Sequence, residues 1–176
     1  MSEQKTLRGN YTIWAAFPQS AVNWAAPSAA SIATAIAAGL MIDISCAITD
    51  DSGDSLNEVD RATDDTQSIC DVASVETPTF RNYEAELDGF RNRTGTTDTP
   101  FYTQFFDLFN GVGRGYWLIK RVDKLQGAPV AAGDIVSSFR FETDHGVDIS
   151  EDGGLCYFGA RFKSSGEIYT NVSVVA

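Results

Sequence analysis

Short runs of apolar and aromatic residues, separated by polar turns, dominate the hydrophobic pattern of this chain. Many of these runs alternate apolar and polar positions, which is typical of strands that pack one face on a core. The last two runs flank Ser164-Ser165-Gly166, which predicts a hairpin turn. The pattern predicts about eight strands, at residues 11–17, 40–48, 67–75, 80–90, 116–119, 135–143, 155–162 and 167–175.

One stretch near the middle of the chain has a different period and predicts a short aromatic helix. Thr99 is suited to cap it and Pro100 to occupy its first position. Four apolar residues recur at helical spacing and predict a single apolar face: Phe101, Phe105, Leu108 and Phe109. Because a helix this short is marginal alone in water, we expect this face and Trp117 to brace the subunit against its sheet.

Three glycines, Gly111, Gly113 and Gly115, follow this helix and precede the strand that ends in Lys120-Arg121. A phosphate-binding glycine loop follows a strand and opens a helix, so the order here predicts a turn. The two basic residues are expected to meet an acidic neighbour.

A second helical stretch is predicted over residues 28–38, with Ser28 as its cap. Together the elements predict a β-sandwich or barrel with a flanking helix.

Residues 49–66 are strongly acidic and carry few large apolar side chains, which predicts a long loop. Loops of this length in compact domains are usually functional or disordered. The only basic residue in the segment is Arg61. Its acidic residues are candidates for a functional surface: Asp50, Asp51, Asp54, Glu58, Asp60, Asp64 and Asp65.

The 176 residues fit a single domain, residues 11–176, preceded by a polar arm at residues 1–10. The net charge of −11 argues against binding to nucleic acid, because such binding needs basic residues against phosphate. Three distant cysteines, Cys46, Cys70 and Cys156, form no CxxC pair and predict free thiols rather than a zinc site. The apolar stretch at residues 21–47 is interrupted by proline, glycine and aspartate and is not read as a membrane span.

No pattern in the chain predicts catalysis, a cofactor or a dedicated metal site. Residues 148–153 match half of a calcium loop but lack its final glutamate, so a solvated turn is the better interpretation. His145 is the only histidine and stands in a predicted turn, without a GxSxG elbow elsewhere. A pairing of His145 with a cysteine stays open on the sequence. Trp24, in a loop bounded by prolines, is a candidate anchor for a partner.

An ordered series of short motifs runs through the chain. After the first strand come Ala25-Ala26-Pro27-Ser28-Ala29-Ala30, Cys70-Asp71, Tyr83-Glu84-Ala85-Glu86-Leu87, Phe105-Phe106-Asp107-Leu108-Phe109, Gly115-Tyr116-Trp117-Leu118-Ile119-Lys120-Arg121 and Ala131-Ala132-Gly133-Asp134-Ile135-Val136. In this order, over residues 11–175, the chain resembles the major tail tube proteins of long-tailed, siphophage-type bacteriophages.

The resemblance implies a structural virion protein with a sandwich or barrel-like tail tube fold. Six subunits would form a ring, and stacked rings would form a tube around the tape-measure protein. The tube would later conduct the genome into the host without binding it, and would meet tail terminator and distal tail proteins at its ends. Assembly would take place in the bacterial cytoplasm. An acidic lining fits this role, since a passage for DNA should not hold phosphate.

Under this resemblance, the acidic segment at 49–66 is expected either to line the lumen or to join neighbouring rings. The N-terminal arm and residues 172–175 are expected to add edge contacts to neighbouring subunits. Two other classes of function stay open on the sequence. One is another virion part, such as a tail terminator or a decoration protein, and the other is a β-sandwich binding module.

Overall fold

A computed structural model describes residues 11–49, 54–64, 77–91, 100–124, 126–150 and 156–176. Its architecture is one antiparallel sheet of eight strands with two α-helices. This confirms the predicted mainly β fold with a flanking helix. The strands are β1 Tyr11–Ala16, β2 Met41–Asp43, β3 Asp54–Asp64, β4 Thr77–Phe90, β5 Gly115–Val122, β6 Ile135–Thr143, β7 Val147–Ser150 and β8 Cys156–Ser173, and the helices are α1 Ala29–Ala37 and α2 Pro100–Phe109.

The strands lie in the order β2-β1-β5-β6-β8-β4-β3, and β7 pairs with β8. Strand β7 lies along the same edge of β8 as β6, after a short interruption at residues 144–146. The sheet curls back on itself, because Ile48, beyond β2, forms an antiparallel bridge with Gly89 of β4. The fold is therefore a partly closed barrel rather than two separate sheets.

The interior of this barrel is filled by α2. Phe105, Leu108 and Phe109 are buried against inward-facing residues of the sheet, including Leu118 of β5 and Phe141 of β6. The rings of Phe105 and Phe109 meet edge to face, with centroids 5.1 Å apart. Phe101 was predicted to share this face, but it is 44% exposed. That prediction is wrong, because in the first turn of the helix Tyr102 rather than Phe101 packs against the sheet, with its ring centroid 5.4 Å from that of Phe90.

A second apolar cluster covers the opposite face of β1 and β5. Trp14 and Trp117 point outward from these strands and pack with α1 and with Trp24. Both faces of β1 and β5 are thus buried, which explains their continuous apolar runs. The prediction that Trp24 anchors a partner is wrong, since it is 3% exposed and its ring lies 6.0 Å from that of Trp117.

Helix α1 begins where its sequence predicts. The Ser28 hydroxyl accepts a hydrogen bond from the Ser31 amide, and the Ser31 hydroxyl accepts one from the Ser28 amide. This reciprocal capping satisfies two backbone donors that a helix start would otherwise leave free. The chain end docks beside this cap, where the Val175 amide donates to Pro27 at 2.9 Å and the Ala29 amide donates to Val175 at 2.9 Å.

Strand β8 is one continuous element of 18 residues, so the predicted hairpin across residues 164–166 is wrong. Strand β6 pairs with both halves of β8, at Phe141 with Ser164 and at Phe139 with Ile168. Between these two pairs, one residue of β6 faces three of β8, and the two extra residues form a bulge around Gly166, whose φ is 108°. Glycine permits this left-handed conformation, and here it serves a bulge instead of a turn.

Two other predicted boundaries need correction. The strand predicted over residues 40–48 stops at Asp43, and Ser45–Ala47 form a 3-10 turn. The Asp43 carboxylate accepts a hydrogen bond from the Ser45 amide at 3.0 Å, which favours the turn over a longer strand. The loop predicted over residues 49–66 is wrong for Asp54–Asp64, which form β3 along the edge of β4. The strand predicted at 67–75 lies outside the described residues.

Candidate functional site

The outer face of β4 and β8 carries a set of charged side chains joined in ion pairs. Arg161 of β8 lies between Glu86 and Asp88 of β4, and its guanidinium is 3.4 Å from Asp88. The Lys163 ammonium donates to Asp144 at 2.7 Å. This hydrogen bond lowers the pKa of the Asp144 carboxyl, and the same hydrogen bond, together with the Asp144 charge, raises the pKa of Lys163. The face therefore presents paired charges rather than isolated cations.

Strands β3 and β4 extend beyond the rest of the sheet as a two-stranded arm. Strand β4 pairs with β8 over residues 84–90, whereas residues 77–83 pair with β3 alone among the described residues. We call residues 58–64 with residues 77–83 the arm. A two-stranded ribbon by itself is only marginally stable in water.

The predicted acidic surface falls largely on this arm and its base. Asp54 lies at the base, and Glu58, Asp60 and Asp64 lie on the arm. Asp50, Asp51 and Asp65 lie outside the described residues. The outer edge of β3 has no partner strand within the described residues. Such an edge is the kind of surface on which another chain adds a strand.

A buried ion pair holds one end of the barrel. Arg121, at the end of β5, is fully buried and its guanidinium donates to Asp134 at 2.7 Å. It also donates to the carbonyl oxygens of Ala128 and Pro129, each at 2.8 Å. The Asp134 carboxylate accepts a further hydrogen bond from the Ala131 amide at 2.9 Å. Asp134 of the same chain is thus the acidic neighbour of Arg121, whereas the Lys120 ammonium lies 4.4 Å from the ring centroid of Tyr11.

Beside this pair lies an open hollow of about 460 Å³. We call it the hollow. Its lining combines apolar residues with four charged or polar ones: Val122, Asp123, Lys124, Ala131, Ala132, Gly133, Asp134, Ile135 and Asn171. The Asp134 carbonyl accepts from the Val174 amide at 2.8 Å, so the chain end helps to fix the wall of the hollow. Val174 is buried in its own subunit, whereas Val175 is 50% exposed, so the contact expected between residues 172–175 and neighbouring subunits stays a prediction.

The opposite end of β5 carries a corner that joins α2 to the sheet. We call residues 111–114 the knob. The Gly113 amide donates to the Thr143 carbonyl at 2.8 Å, and the Arg114 amide donates to the Thr143 hydroxyl at 3.0 Å. The glycine positions form the turn that the sequence predicts, with Gly113 at φ 75°. At its tip Val112 is 60% exposed, the most exposed of the large apolar side chains that the structure describes.

The described residues bring together no arrangement of catalytic groups. His145 is exposed and adjoins Asp144, while the described thiol, Cys46, is exposed and contacts the Gln126 amide oxygen. No group of three potential metal ligands occurs in the part of the chain that the structure describes. No helix among those residues has the length and apolarity needed to cross a bilayer.

Sequence reasoning missed the knob and the hollow. Their residues carry no sequence signal of their own beyond the glycines, because they become neighbours only when β5 and β6 pair.

Comparison with protein families gives one finding. A family model described as "Phage tail tube protein" matches residues 1–176. No curated protein matches the chain.

Proposed function

Because the chain belongs to the phage tail tube protein family, we propose that it is the major tail tube subunit of a long-tailed, siphophage-type particle. Members of this family are structural virion proteins that assemble with copies of themselves into a tube. In our proposal six subunits form a ring, and the rings stack around a tape-measure protein. After its release, the genome passes through the lumen into the host. Tail terminator and distal tail proteins would complete the two ends of the tube.

The observation that carries this proposal is the β3–β4 arm with its open edge. A barrel that is braced internally by α2 does not need a projecting ribbon for its own stability. An unpaired strand edge offers backbone donors and acceptors to a neighbour, and pairing with another copy would satisfy them. We therefore assign the arm to contacts between subunits, either between rings or at the lumen.

The charge of the chain supports a passive conduit for DNA. The net charge is −11, and the cations of the β4–β8 face are held by carboxylates. Phosphate binding depends on cations that can displace counterions, and these cations are already engaged. The acidic residues Glu58, Asp60 and Asp64 on the arm would add to the repulsion of DNA wherever the arm meets the lumen.

Electron microscopy of the purified chain tests the proposal. The wild-type protein should form hollow tubes or six-fold rings in negative stain when it is concentrated, and should disperse on dilution because association follows mass action. A gel-shift assay should show no retention of double-stranded DNA at low salt. A protein that stays monomeric at every concentration would contradict the proposal. Single rings that never stack would favour a tail terminator instead.

A further inference from the structure

Two exposed features, the knob and the hollow, lie at opposite ends of β5. The knob lies immediately before β5, and the hollow lies immediately after it. Strand β6 runs antiparallel beside β5 and links the same two ends, from Ile135 in the hollow to Thr143 under the knob. The two features are therefore separated by the length of a strand of eight residues, which spans about 25 Å.

The knob is built to present an apolar side chain. Two hydrogen bonds from Thr143 fix the backbone of the knob at its two ends. The Thr143 amide donates to the Arg114 carbonyl at 2.9 Å, and the Thr143 hydroxyl donates to the Gly111 carbonyl. Nothing among the described residues covers Val112. A rigid surface loses little conformational freedom on binding, so an exposed apolar tip on such a corner favours association.

The hollow is built to receive such a side chain. Ala131, Ala132 and Gly133 leave space at its floor, and Ile135 contributes an apolar side chain that is 37% exposed. The buried pair of Arg121 and Asp134 holds this wall in place without the help of a partner. The hollow therefore offers a preformed apolar patch, beside the polar residues Asp123, Lys124 and Asn171, against which Val112 can pack at a small cost of ordering.

The charges beside the two features are also complementary. Arg114 is exposed next to Val112, and Asp123 is exposed at the rim of the hollow. Lys124, the cation at the same rim, lies 3.5 Å from Asp134 of its own chain. An approach of knob to hollow would bring the Arg114 guanidinium towards the Asp123 carboxylate.

We propose that the knob of one copy inserts Val112 into the hollow of the next copy along the tube, as the head-to-tail contact between stacked rings. The contact joins two different surfaces, so it does not close on itself and continues for as many rings as are added. This inference rests on the proposed function, because it takes a second copy of the chain as the occupant of the hollow. It also implies that β5 runs along the direction in which the rings stack.

Two single variants test the contact from its two sides. Val112→Asp would place a carboxylate beside those of Asp123 and Asp134 in the hollow, and Ala132→Glu would add one to its lining. Each should raise the protein concentration needed for tubes by at least about tenfold, because a buried apolar contact is replaced by a desolvated charge. Both positions are exposed in the single subunit, so circular dichroism and thermal melting should match the wild type. Val147→Asp is the matched control, since Val147 is 53% exposed and lies outside both features.

A mixture of the two variants provides the decisive outcome. Copies with Val112→Asp keep an intact hollow, and copies with Ala132→Glu keep an intact knob. Rings of the two kinds should therefore join into pairs, seen as double rings by electron microscopy, and should not grow further.

Tubes formed by Val112→Asp at the wild-type concentration would overturn the contact and leave the proposed function standing. Equal loss of tubes with Val147→Asp, or no double rings in the mixture, would also overturn it. A wild-type chain that forms no tubes would overturn the proposed function itself.

Discussion

At the residue scale, the pair formed by Arg121 and Asp134 decides how one end of the barrel is held. Both side chains are almost fully buried, and their charges are compensated by each other and by backbone groups of residues 128–131. Removing one partner of such a pair leaves a buried charge without compensation, which costs far more than the pair contributes. Exposed ion pairs on the same protein have no comparable effect, because water and salt screen them.

The substitution Asp134→Asn keeps the shape of the side chain and removes its charge. We expect the free energy of unfolding to fall by about 3–5 kcal/mol, because the Arg121 guanidinium stays buried without a counter-charge. Urea denaturation measures this change. Arg140→Gln is the control, since Arg140 and Glu167 form an exposed pair at 3.4 Å whose loss should cost less than about 1 kcal/mol. Equal effects of the two substitutions would show that the buried pair does not hold the barrel end.

The same pair predicts how stability depends on pH. Burial acts to raise the pKa of Asp134, but the Ala131 amide and the charges of Arg121 and Lys124 together hold that pKa below its ordinary value. The resulting stabilisation is present above the unfolded pKa of about 3.9 and is lost as pH falls through the folded pKa. The wild type should therefore lose stability below about pH 4 more steeply than Asp134→Asn. Parallel curves for the two proteins would contradict this assignment.

At the scale of elements, the position of α2 depends on a glycine in β4. A Cβ atom added to Gly89 would lie 2.4 Å from the ring of Phe105, which is fully buried. The absence of a side chain on the strand thus permits the close approach of the helix that fills the barrel. Gly89 also forms the bridge with Ile48 that closes the sheet, so one residue serves both the helix and the closure.

Gly89→Ala should lower the free energy of unfolding by about 1–3 kcal/mol, because α2 must move away from its sheet to admit the methyl group. Gly115→Ala is the matched control, since its added Cβ would have Pro18 at 3.9 Å as the nearest contact, an ordinary distance. Thermal melting of both variants measures the difference. A Gly89→Ala protein as stable as Gly115→Ala would mean that Phe105 does not pack against β4 as described.

Elements with strong local patterns could be predicted from the sequence, and elements defined by pairing could not. The aromatic period and Pro100 predict α2, and alternation predicts β6 from Ile135 to Thr143, as the structure has them. The hairpin predicted at Gly166 is wrong because glycine in the left-handed backbone conformation occurs both in turns and in bulges. Only the pairing of β8 with β6 distinguishes the two. Acidity led to a loop prediction for β3, although its place in the sheet is set by the partner strand β4.

At the scale of the whole molecule, membership of the tail tube family confirms the resemblance that the ordered motifs indicate. The motif order could be read from the sequence, whereas the surfaces that we propose for assembly could not. The knob, the hollow and the arm are products of topology, since each depends on where a strand ends relative to its neighbours. Each copy in a tube carries a net charge of −11. Repulsion between these like charges opposes assembly, whereas apolar contacts between copies favour it.

Salt should therefore promote assembly. Raising the ionic strength shortens the Debye length from about 10 Å at 0.1 M to about 3 Å at 1 M, which weakens repulsion between copies and leaves apolar contacts intact. The concentration needed for tubes, measured by sedimentation, should fall as salt is added. The triple variant Glu58→Gln, Asp60→Asn and Asp64→Asn removes three negative charges from the arm and should respond less to salt than the wild type. Tubes that dissolve as salt rises would instead mean that ion pairs between subunits hold the tube together, and the knob would then be secondary to them.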